Sequence, residues 1–277
     1  MRSISKVVPM QSHIFTDAHM DAPEFVAAAR VRVGIFSSRS PDPDHDRNED
    51  AAAVFEIDEN RAVFALADGV GGVRGGDLAS SIAIEQLQLA IESGLQDAKN
   101  LRACIVDAFE NANRIITEKG IGAATTLAVI EVDSGTVRPY HAGDTEIIAS
   151  GLRGKLKLQT LAHSPVAYAV ESGIIDEQEA MQHDDRHVVS NFVGSPDMRI
   201  EIGSSLSLAR RDTVILASDG LTDNLHTDEI IEMIRKGPLD AVMKRIASEV
   251  AHRMHHSTGD HPSKPDDLTF LVFRRTE

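Results

Sequence analysis

The chain has 277 residues, of which 42% are hydrophobic, which is enough for a substantial core in one large domain or two small ones. Its 28 Lys and Arg residues against 43 Asp and Glu residues give a formal net charge of −15. This charge excludes nucleic acid and anionic membranes as expected partners and favours divalent cations as counter-ions. The single cysteine, Cys104, excludes an internal disulfide framework, and no membrane span or signal peptide is evident, so we expect a cytoplasmic protein.

The first part of the chain contains few periodic segments. Residues 1–24 show no clear periodicity and are interpreted as an N-terminal extension. Val31–Ser37 alternates in hydrophobicity as a strand does. A polar loop with two prolines then delivers the acidic pair Glu49-Asp50 to the start of the next predicted strand, Ala51–Ile57.

The rest of the chain is organised around Ala62–Gly76, which reads AVFALADGVGGVRGG. Ala62–Ala67 has the length and composition of a buried strand, so Asp68 should lie where the strand leaves the sheet. The glycines after it allow a sharp turn and a close approach to a ligand, as in many metal and phosphate sites. Arg74 in this turn is more simply a solvated residue than a phosphate contact.

Two helices should follow, over residues 77–93 and Leu101–Lys119, with Gly94 ending the first. Cys104 falls on the apolar stripe of the second helix, which indicates a packed core thiol. A cysteine-dependent phosphatase loop would need an arginine six residues after the cysteine, and Glu110 occupies that position. Phosphoryl transfer through a thiolate is therefore not expected.

The middle of the chain predicts antiparallel strands, because the links between its apolar segments are short. The segments are Thr125–Val132, Val137–Ala142, Thr145–Ser150 and Lys155–Leu161. Gly143-Asp144 forms a bend between two of them. Residues 163–196, here called the flap, are polar with helical fragments and are interpreted as an excursion from the core.

Thr213–Ala217 repeats the earlier pattern of an apolar strand followed by Asp-Gly, here Asp219-Gly220. A second acidic pair, Asp266-Asp267, precedes the last strand. The remaining predicted elements are helices over 228–236 and 238–254 and a strand over Leu268–Phe273.

Acidic residues thus recur at strand ends, and this recurrence is the main functional signal. The positions are Asp68, Asp144, Asp219 and Asp266, with Glu49-Asp50 as a fifth. Packed sheets bring strand ends to one edge, where clustered carboxylates would repel one another unless cations neutralised them. Oxygen ligands suit Mg²⁺ or Mn²⁺, and a pair of such ions can hold a bridging hydroxide for in-line attack on a phosphoryl group. The pattern therefore predicts hydrolysis of a phosphate ester.

Six motifs support this prediction by their order along the chain. They are NED at 48–50, FALADGVGG at 64–72, GAATTLAV at 122–129, AGD at 142–144, LASDGL at 216–221 and PDDLT at 265–269. With them the chain resembles the PP2C-type (PPM) metal-dependent serine/threonine protein phosphatases, of the bacterial type. The resemblance implies an α+β fold, an αββα sandwich of two antiparallel sheets flanked by helices, formed by residues 25–277.

The resemblance also implies roles for the acidic residues around two tightly bound Mn²⁺ or Mg²⁺ ions and a third, weak one. Asp68, Asp219 and Asp266 would form the catalytic centre. By role, the ligands are Asp68 between the two tight ions, Asp219 and Asp266 on the first, Glu49 and the Gly69 carbonyl on the second, and Asp144 on the third. Asp50 and Asp267 would orient ligands and waters from behind them.

Three positions depart from the family pattern. Val70 replaces a histidine proposed as general acid in many eukaryotic members, so leaving-group protonation must come from water or another group. His45 stands where a phosphate-binding arginine is usual, and Arg47 is our candidate for that role. Thr145-Glu146 follows Gly143-Asp144 in place of Ser-Arg, which changes the surface near the third ion.

The expected substrates are phosphorylated proteins, the products of a serine/threonine kinase, and we expect the enzyme to be a monomer. Two alternatives remain open: a catalytically silent phosphoprotein-binding module of the same fold, and a phosphatase acting on an anti-sigma-factor antagonist. Zinc is conceivable at two histidine groups, but solvated side chains are the simpler interpretation. These groups are His183 and His187 around Asp184-Asp185, and His252, His255, His256 and His261.

Overall fold

The computed structural model describes residues 10–70, 75–97, 99–181, 183–256 and 261–275. The strands are β1 Gln11–Thr16, β2 Glu24–Ala28, β3 Val31–Ser38, β4 Ala51–Glu56, β5 Arg61–Ala67, β6 Leu127–Asp133, β7 Thr136–Ala142, β8 Glu146–Ser150, β9 Leu156–Gln159, β10 Glu201–Ile202, β11 Leu206–Ser207, β12 Thr213–Ala217 and β13 Leu268–Arg275. The helices are α1 Gly76–Gln96, α2 Leu101–Lys119, α3 Pro165–Glu171, α4 Glu177–Met181, α5 Asp219–Thr222, α6 Thr227–Ile234 and α7 Leu239–His255.

The strands form two antiparallel sheets. The first has the order β1-β4-β5-β6-β7-β10, with β11 also paired to β7, and the second has the order β2-β3-β13-β12-β8-β9. Helices α1 and α2 pack on the first sheet, and α6 and α7 pack on the second. The predicted αββα sandwich is confirmed.

The central strands are apolar along their whole length because both of their faces are buried. In β5, Val63 and Ala65 face the α1/α2 layer, whereas Phe64 and Leu66 enter the core between the two sheets. Phe64 meets Phe273 of the opposite sheet edge to face, with ring centroids 4.9 Å apart. Sheet packing through such pairs brings the ends of β5, β12 and β13 to one edge.

The structure differs from the sequence prediction at the N-terminus. Residues 11–16, assigned to an untyped extension, form β1, which pairs with β4 from Gln11↔Glu56 to Thr16↔Ala51. β1 is an edge strand whose side chains are mostly exposed, so it carries no hydrophobic alternation.

Gly94 does not end α1, which continues to Gln96. A Cβ on Gly94 would lie 2.1 Å from the Sγ of Cys104 on α2. The glycine therefore serves the close contact between these helices. The predicted core position of Cys104 is confirmed, since this residue is 1% exposed.

None of the helices in the described ranges is long and apolar enough to cross a membrane.

Candidate active site

The acidic residues singled out from the sequence lie at one edge of the sandwich. Asp68 directly follows β5, Asp219 begins α5 just after β12, and Asp266 lies two residues before β13. Asp144 lies in the turn between β7 and β8, and Glu49 lies just before β4. The charges of Asp219, Asp144 and Asp266 all act on Asp68, so the structure brings these predicted residues together.

Asp68 is held by the threonines of the GAATTLAV motif. The Thr126 amide donates to the Asp68 carbonyl at 2.8 Å, and the Asp68 amide donates to the Thr126 hydroxyl at 3.1 Å. The Thr125 hydroxyl donates to the same carbonyl at 2.8 Å. These bonds fix the main chain of Asp68, and its carboxylate Oδ2 accepts the Asp219 amide at 3.3 Å.

The carboxylates are desolvated and repel one another. Burial, followed by the charges of Asp219, Asp50, Asp144 and Asp266, raises the pKa of Asp68 well above its usual range. Burial and the charge of Asp219 raise the pKa of Asp144 to about 7, and burial and Asp266 raise the pKa of Asp219. The raised pKa values show that negative charge is concentrated in this cluster. Hard divalent cations, which prefer carboxylate oxygens as ligands, would neutralise that charge.

Gly69 and Glu49 lie against each other beside this cluster. The Gly69 amide donates to the Glu49 carbonyl at 3.2 Å, and a Cβ on Gly69 would come within 2.6 Å of the Gly76 carbonyl oxygen. A Cβ on Gly76 would lie 2.8 Å from the Glu49 carboxylate. The lack of a side chain at Gly69 and Gly76 therefore allows the main chain to pack closely around Glu49. This is a role that the glycines have besides any approach to a ligand. Gly71, Gly72 and Arg74 lie outside the described residues.

Asp267 holds the main chain around Glu49. Its carboxylate accepts the amides of Ser40 at 2.7 Å and Glu49 at 2.6 Å, and His45 Nε2 lies 3.1 Å from it. Burial alone would lower the pKa of His45, but the charge and hydrogen bond of Asp267, together with the charges of Glu49 and Asp266, outweigh it and raise that pKa. His45, in the position where an arginine was expected, thus supports Asp267.

Asp50 is 2% exposed, and its Oδ2 has no hydrogen-bond partner within the described part of the chain. Burial, with the charge of Asp267, raises its pKa well above the usual range. A buried carboxylate oxygen without a donor fits a position where a water or a bound cation satisfies it.

Arg47 lies at the rim of the site. Its side chain is 64% exposed, and its Nη1 donates to the Asp77 carboxylate of α1 at 2.6 Å. The charge of Asp77 also acts on Glu49, so this ion pair is close to Glu49. The role of Arg47 in phosphate binding stays a prediction.

Two residues of the site were missed by the sequence reasoning. Asp223 follows α5, and burial and the charge of Asp219 raise its pKa. The Nζ of Lys264 lies between Asp219, Asp223 and Asp266, and their charges raise its pKa although burial opposes this. The spacing of Asp223 four residues after Asp219, one helical turn, was a signal that could have identified the first of them.

A histidine pair supports the turn that carries Asp144. His163 Nδ1 accepts the Gly143 amide at 3.0 Å and the Asn191 side-chain amide at 2.9 Å, and the His163 amide donates to the Gly143 carbonyl at 3.0 Å. Its ring stacks on His141 with centroids 4.4 Å apart. His163 therefore ties the Gly143-Asp144 turn to both ends of the flap.

His141, His163 and Glu201 also have the residue types and spacing of a metal site, with ligand atoms within 4.8 Å of one another. Because His163 Nδ1 accepts two hydrogen bonds, its proton is on Nε2, which donates to Glu201 at 3.2 Å. That nitrogen then has no lone pair for a metal ion. The group is better explained as a hydrogen-bonded support.

The flap covers a cavity of about 370 Å³ beside the carboxylates. Asp144, Asp219 and Asp223 line one side of the cavity, and the flap residues Val170 and Arg186 line the other. This space therefore lies directly beside the carboxylate cluster.

The histidine groups for which zinc was considered are exposed at His183, His187, His252, His255, His256 and His261, as expected of solvated side chains.

Comparison with known proteins identifies the class to which this fold and site belong. A family model described as protein phosphatase 2C matches residues 43–257, more than half of the chain. The chain therefore belongs to the protein phosphatase 2C family. It is a metal-dependent protein phosphatase.

Among its relatives, the serine/threonine phosphatase stp of Listeria monocytogenes is 26% identical over 239 residues, covering 82% of this chain and 90% of the relative. A solved Streptococcus agalactiae serine/threonine phosphatase has a TM-score of 0.73 at 24% identity, covering 88% of this chain and 99% of that one. The catalytic domain of the phosphatase PstP in complex with two manganese ions has a TM-score of 0.67 at 22% identity, covering 88% and 97%. The last two likenesses confirm the fold.

Proposed function

We propose that this enzyme hydrolyses phosphoserine and phosphothreonine in proteins, using two divalent cations held by the carboxylate cluster. The observation that carries the proposal is the convergence of Asp68, Asp219 and Asp266, from three separate strand ends, in a desolvated group with raised pKa at Asp68 and Asp219. The relatives named serine/threonine phosphatases support the choice of substrate.

Each predicted ligand has a definite place in this proposal. A bridging role for Asp68 is supported by two contacts: its Oδ2 accepts the Asp219 amide at 3.3 Å, and the next residue, Gly69, donates its amide to the Glu49 carbonyl at 3.2 Å. Two ions bound there would activate a water molecule and neutralise the charge of the phosphate. The two manganese ions in the PstP domain favour Mn²⁺, and Mg²⁺ has the same ligand preference.

The supporting residues hold these ligands through hydrogen bonds within the protein. Asp267 holds the main chain of Glu49, and the two threonines hold Asp68. The unpartnered oxygen of Asp50 would bind a water molecule or an ion. A preorganised ligand set of this kind needs little rearrangement during the reaction.

We assign phosphate binding to Arg47, which would have to exchange its contact with Asp77 for the phosphate of the substrate. Val70 cannot donate a proton, so water or another group would protonate the leaving serine or threonine oxygen. We further infer that residues 25–277, together with the N-terminal strand β1 that pairs with β4, act as one monomeric, cytoplasmic phosphatase domain on the products of a serine/threonine kinase. Asp144 would hold a third, weaker ion.

The test is the rate of hydrolysis of p-nitrophenyl phosphate and of phosphothreonine and phosphoserine peptides with Mn²⁺, with Mg²⁺ and after chelation. Activity should require the metal, and Asp219→Asn should lower kcat at least about 10²-fold, as loss of a single electrostatic group does elsewhere. Asp197→Asn, at an exposed position outside the site, is the matched control.

The alternatives predict different results in the same assay. A silent phosphoprotein-binding module would bind the peptides without turnover. A phosphatase specialised for an anti-sigma-factor antagonist would hydrolyse the small ester yet discriminate strongly among phosphoproteins. All the carboxylates that a silent module would be expected to lose are present, which favours an active enzyme.

A further inference from the structure

Lys264 lies in the loop before β13, two residues ahead of Asp266. Its Nζ donates a hydrogen bond to Asp219 Oδ2 at 2.6 Å and lies 2.8 Å from Asp223 Oδ2 and 2.9 Å from Asp266 Oδ2. Its side chain is only 23% exposed. One ammonium group thus neutralises carboxylates from both α5 and the loop before β13.

The main chain of Lys264 is held in place by a buried asparagine. The Lys264 amide donates to Asn224 Oδ1 at 2.9 Å, and its carbonyl accepts from Asn224 Nδ2 at 2.8 Å. Asn224 is 0% exposed and also donates to the Gly220 carbonyl at 2.9 Å. The loop that carries Lys264 is therefore fixed to α5, and the ammonium is directed at the carboxylates by the fold.

Two of the three partners of this ammonium, Asp219 and Asp266, are proposed ligands of a divalent ion. A divalent ion needs oxygens at about 2.0–2.6 Å, and it would repel an ammonium on the same oxygens. The third partner, Asp223, is outside the proposed ligand set. It offers the ammonium a carboxylate to which it can pair when the other two are taken.

We propose that Lys264 is a tethered cation that competes with the divalent ion for Asp219 and Asp266 and pairs with Asp223 once the ion binds. The inference rests on the proposed function, because it concerns the affinity of the same centre. Lys264 relieves repulsion among the carboxylates of the metal-free protein and lowers the affinity of the centre for metal. The metal concentration at which the phosphatase becomes active is then set partly by this lysine.

The test is calorimetric titration of the full chain with Mn²⁺, after removal of metal, for the natural protein and for Lys264→Met. We expect Lys264→Met to bind Mn²⁺ about tenfold more tightly, since displacing the ammonium breaks at least one charge-assisted contact. The metal-free variant should also melt at a lower temperature, because the carboxylates lose their counter-ion.

Lys157→Met is the matched control. Lys157 pairs with the buried Asp212 at 2.6 Å on a different part of the second sheet. Its loss should lower the melting temperature and leave Mn²⁺ affinity unchanged. If Lys264→Met behaves in the same way, Lys264 is only a structural ion-pair residue and the proposal is overturned.

The role of Asp223 is tested by a double-mutant cycle. Asp223→Asn alone should weaken Mn²⁺ binding severalfold, because the displaced ammonium loses its alternative partner. In the Lys264→Met background the same substitution should have a much smaller effect. Equal effects in both backgrounds would overturn the proposal that the Lys264 ammonium moves to Asp223 when the ion binds. Natural protein that binds no Mn²⁺ would instead overturn the proposed function.

Discussion

Replacing Asp68 by asparagine keeps the shape of the side chain and removes the charge at the centre of the cluster. The asparagine amide carries no charge at neutral pH, whereas the raised pKa of Asp68 means that ionising this carboxyl opposes folding when no metal is bound. The same change removes the predicted bridging ligand. We therefore expect Asp68→Asn to make the metal-free protein more stable and the enzyme much less active.

The magnitudes follow from these two effects. Relief of repulsion from Asp219 and its neighbours should stabilise the metal-free fold by about 1 kcal/mol, a rise in Tm of roughly 2–4 °C for a chain near this size. Mn²⁺ at 100 times its Kd stabilises the natural protein by about 2.7 kcal/mol, so its Tm should rise by roughly 5–10 °C. The variant should lose most of this rise, and its kcat should fall at least about 10²-fold.

Differential scanning fluorimetry with chelator and with Mn²⁺, alongside hydrolysis of p-nitrophenyl phosphate, measures all three quantities. Asp197→Asn serves again as the control, because it removes an equal charge at an exposed position. A folded Asp68→Asn protein with near-natural turnover and an undiminished Mn²⁺ shift would refute the metal assignment. A metal-free variant less stable than the natural protein would refute the account of repulsion.

Three further results are expected. Because the folded pKa of Asp144 is about 7 against an ordinary 3.8, the folded state binds protons more tightly than the unfolded state, so metal-free Tm should fall as pH rises from about 4 to 7; a flat profile with chelator would contradict this. His163→Ala leaves the Gly143 amide without its acceptor, so it should cost about 1–3 kcal/mol in thermal or urea unfolding and raise the Mn²⁺ needed for half-maximal rate, with exposed His183→Ala as the control. Val70→His should remain active with an altered pH optimum, and complete loss in a folded, metal-loaded protein would show that the apolar side chain is required.

The fold was largely predictable because its signal is local. β12 occupies the predicted Thr213–Ala217, and α2 occupies the predicted Leu101–Lys119, since each segment carries a complete apolar pattern between clear start and stop signals. β1 was missed because an exposed edge strand is specified by pairing with β4, which leaves no periodicity in its own sequence. Gly94 misled for a related reason: its function is the contact with Cys104, a residue ten positions away on another helix.

The placement of the acidic residues was also predictable, since each follows or precedes a recognisable strand. What the sequence could not supply was their mutual electrostatics. The pKa of Asp144 depends first on burial and then on the charge of Asp219, 75 positions further along the chain. No local sequence pattern shows that these two residues are close in space. Asp223 was only partly predictable. Its spacing of four residues from Asp219 can be read from the sequence, but its burial depends on residues distant in the chain.

Lys264 shows why charge counting along the sequence has limited power at such a site. A lone lysine before Pro-Asp-Asp reads as a solvated loop residue, and neither its composition nor its spacing distinguishes it from the other basic residues. Its significance comes from Asn224, 40 positions away, which fixes its main chain against α5 and so aims the ammonium at three carboxylates. A cation placed by the fold among metal ligands acts on the affinity for metal whatever the chemistry at the phosphate, so metal titration isolates its role better than turnover does.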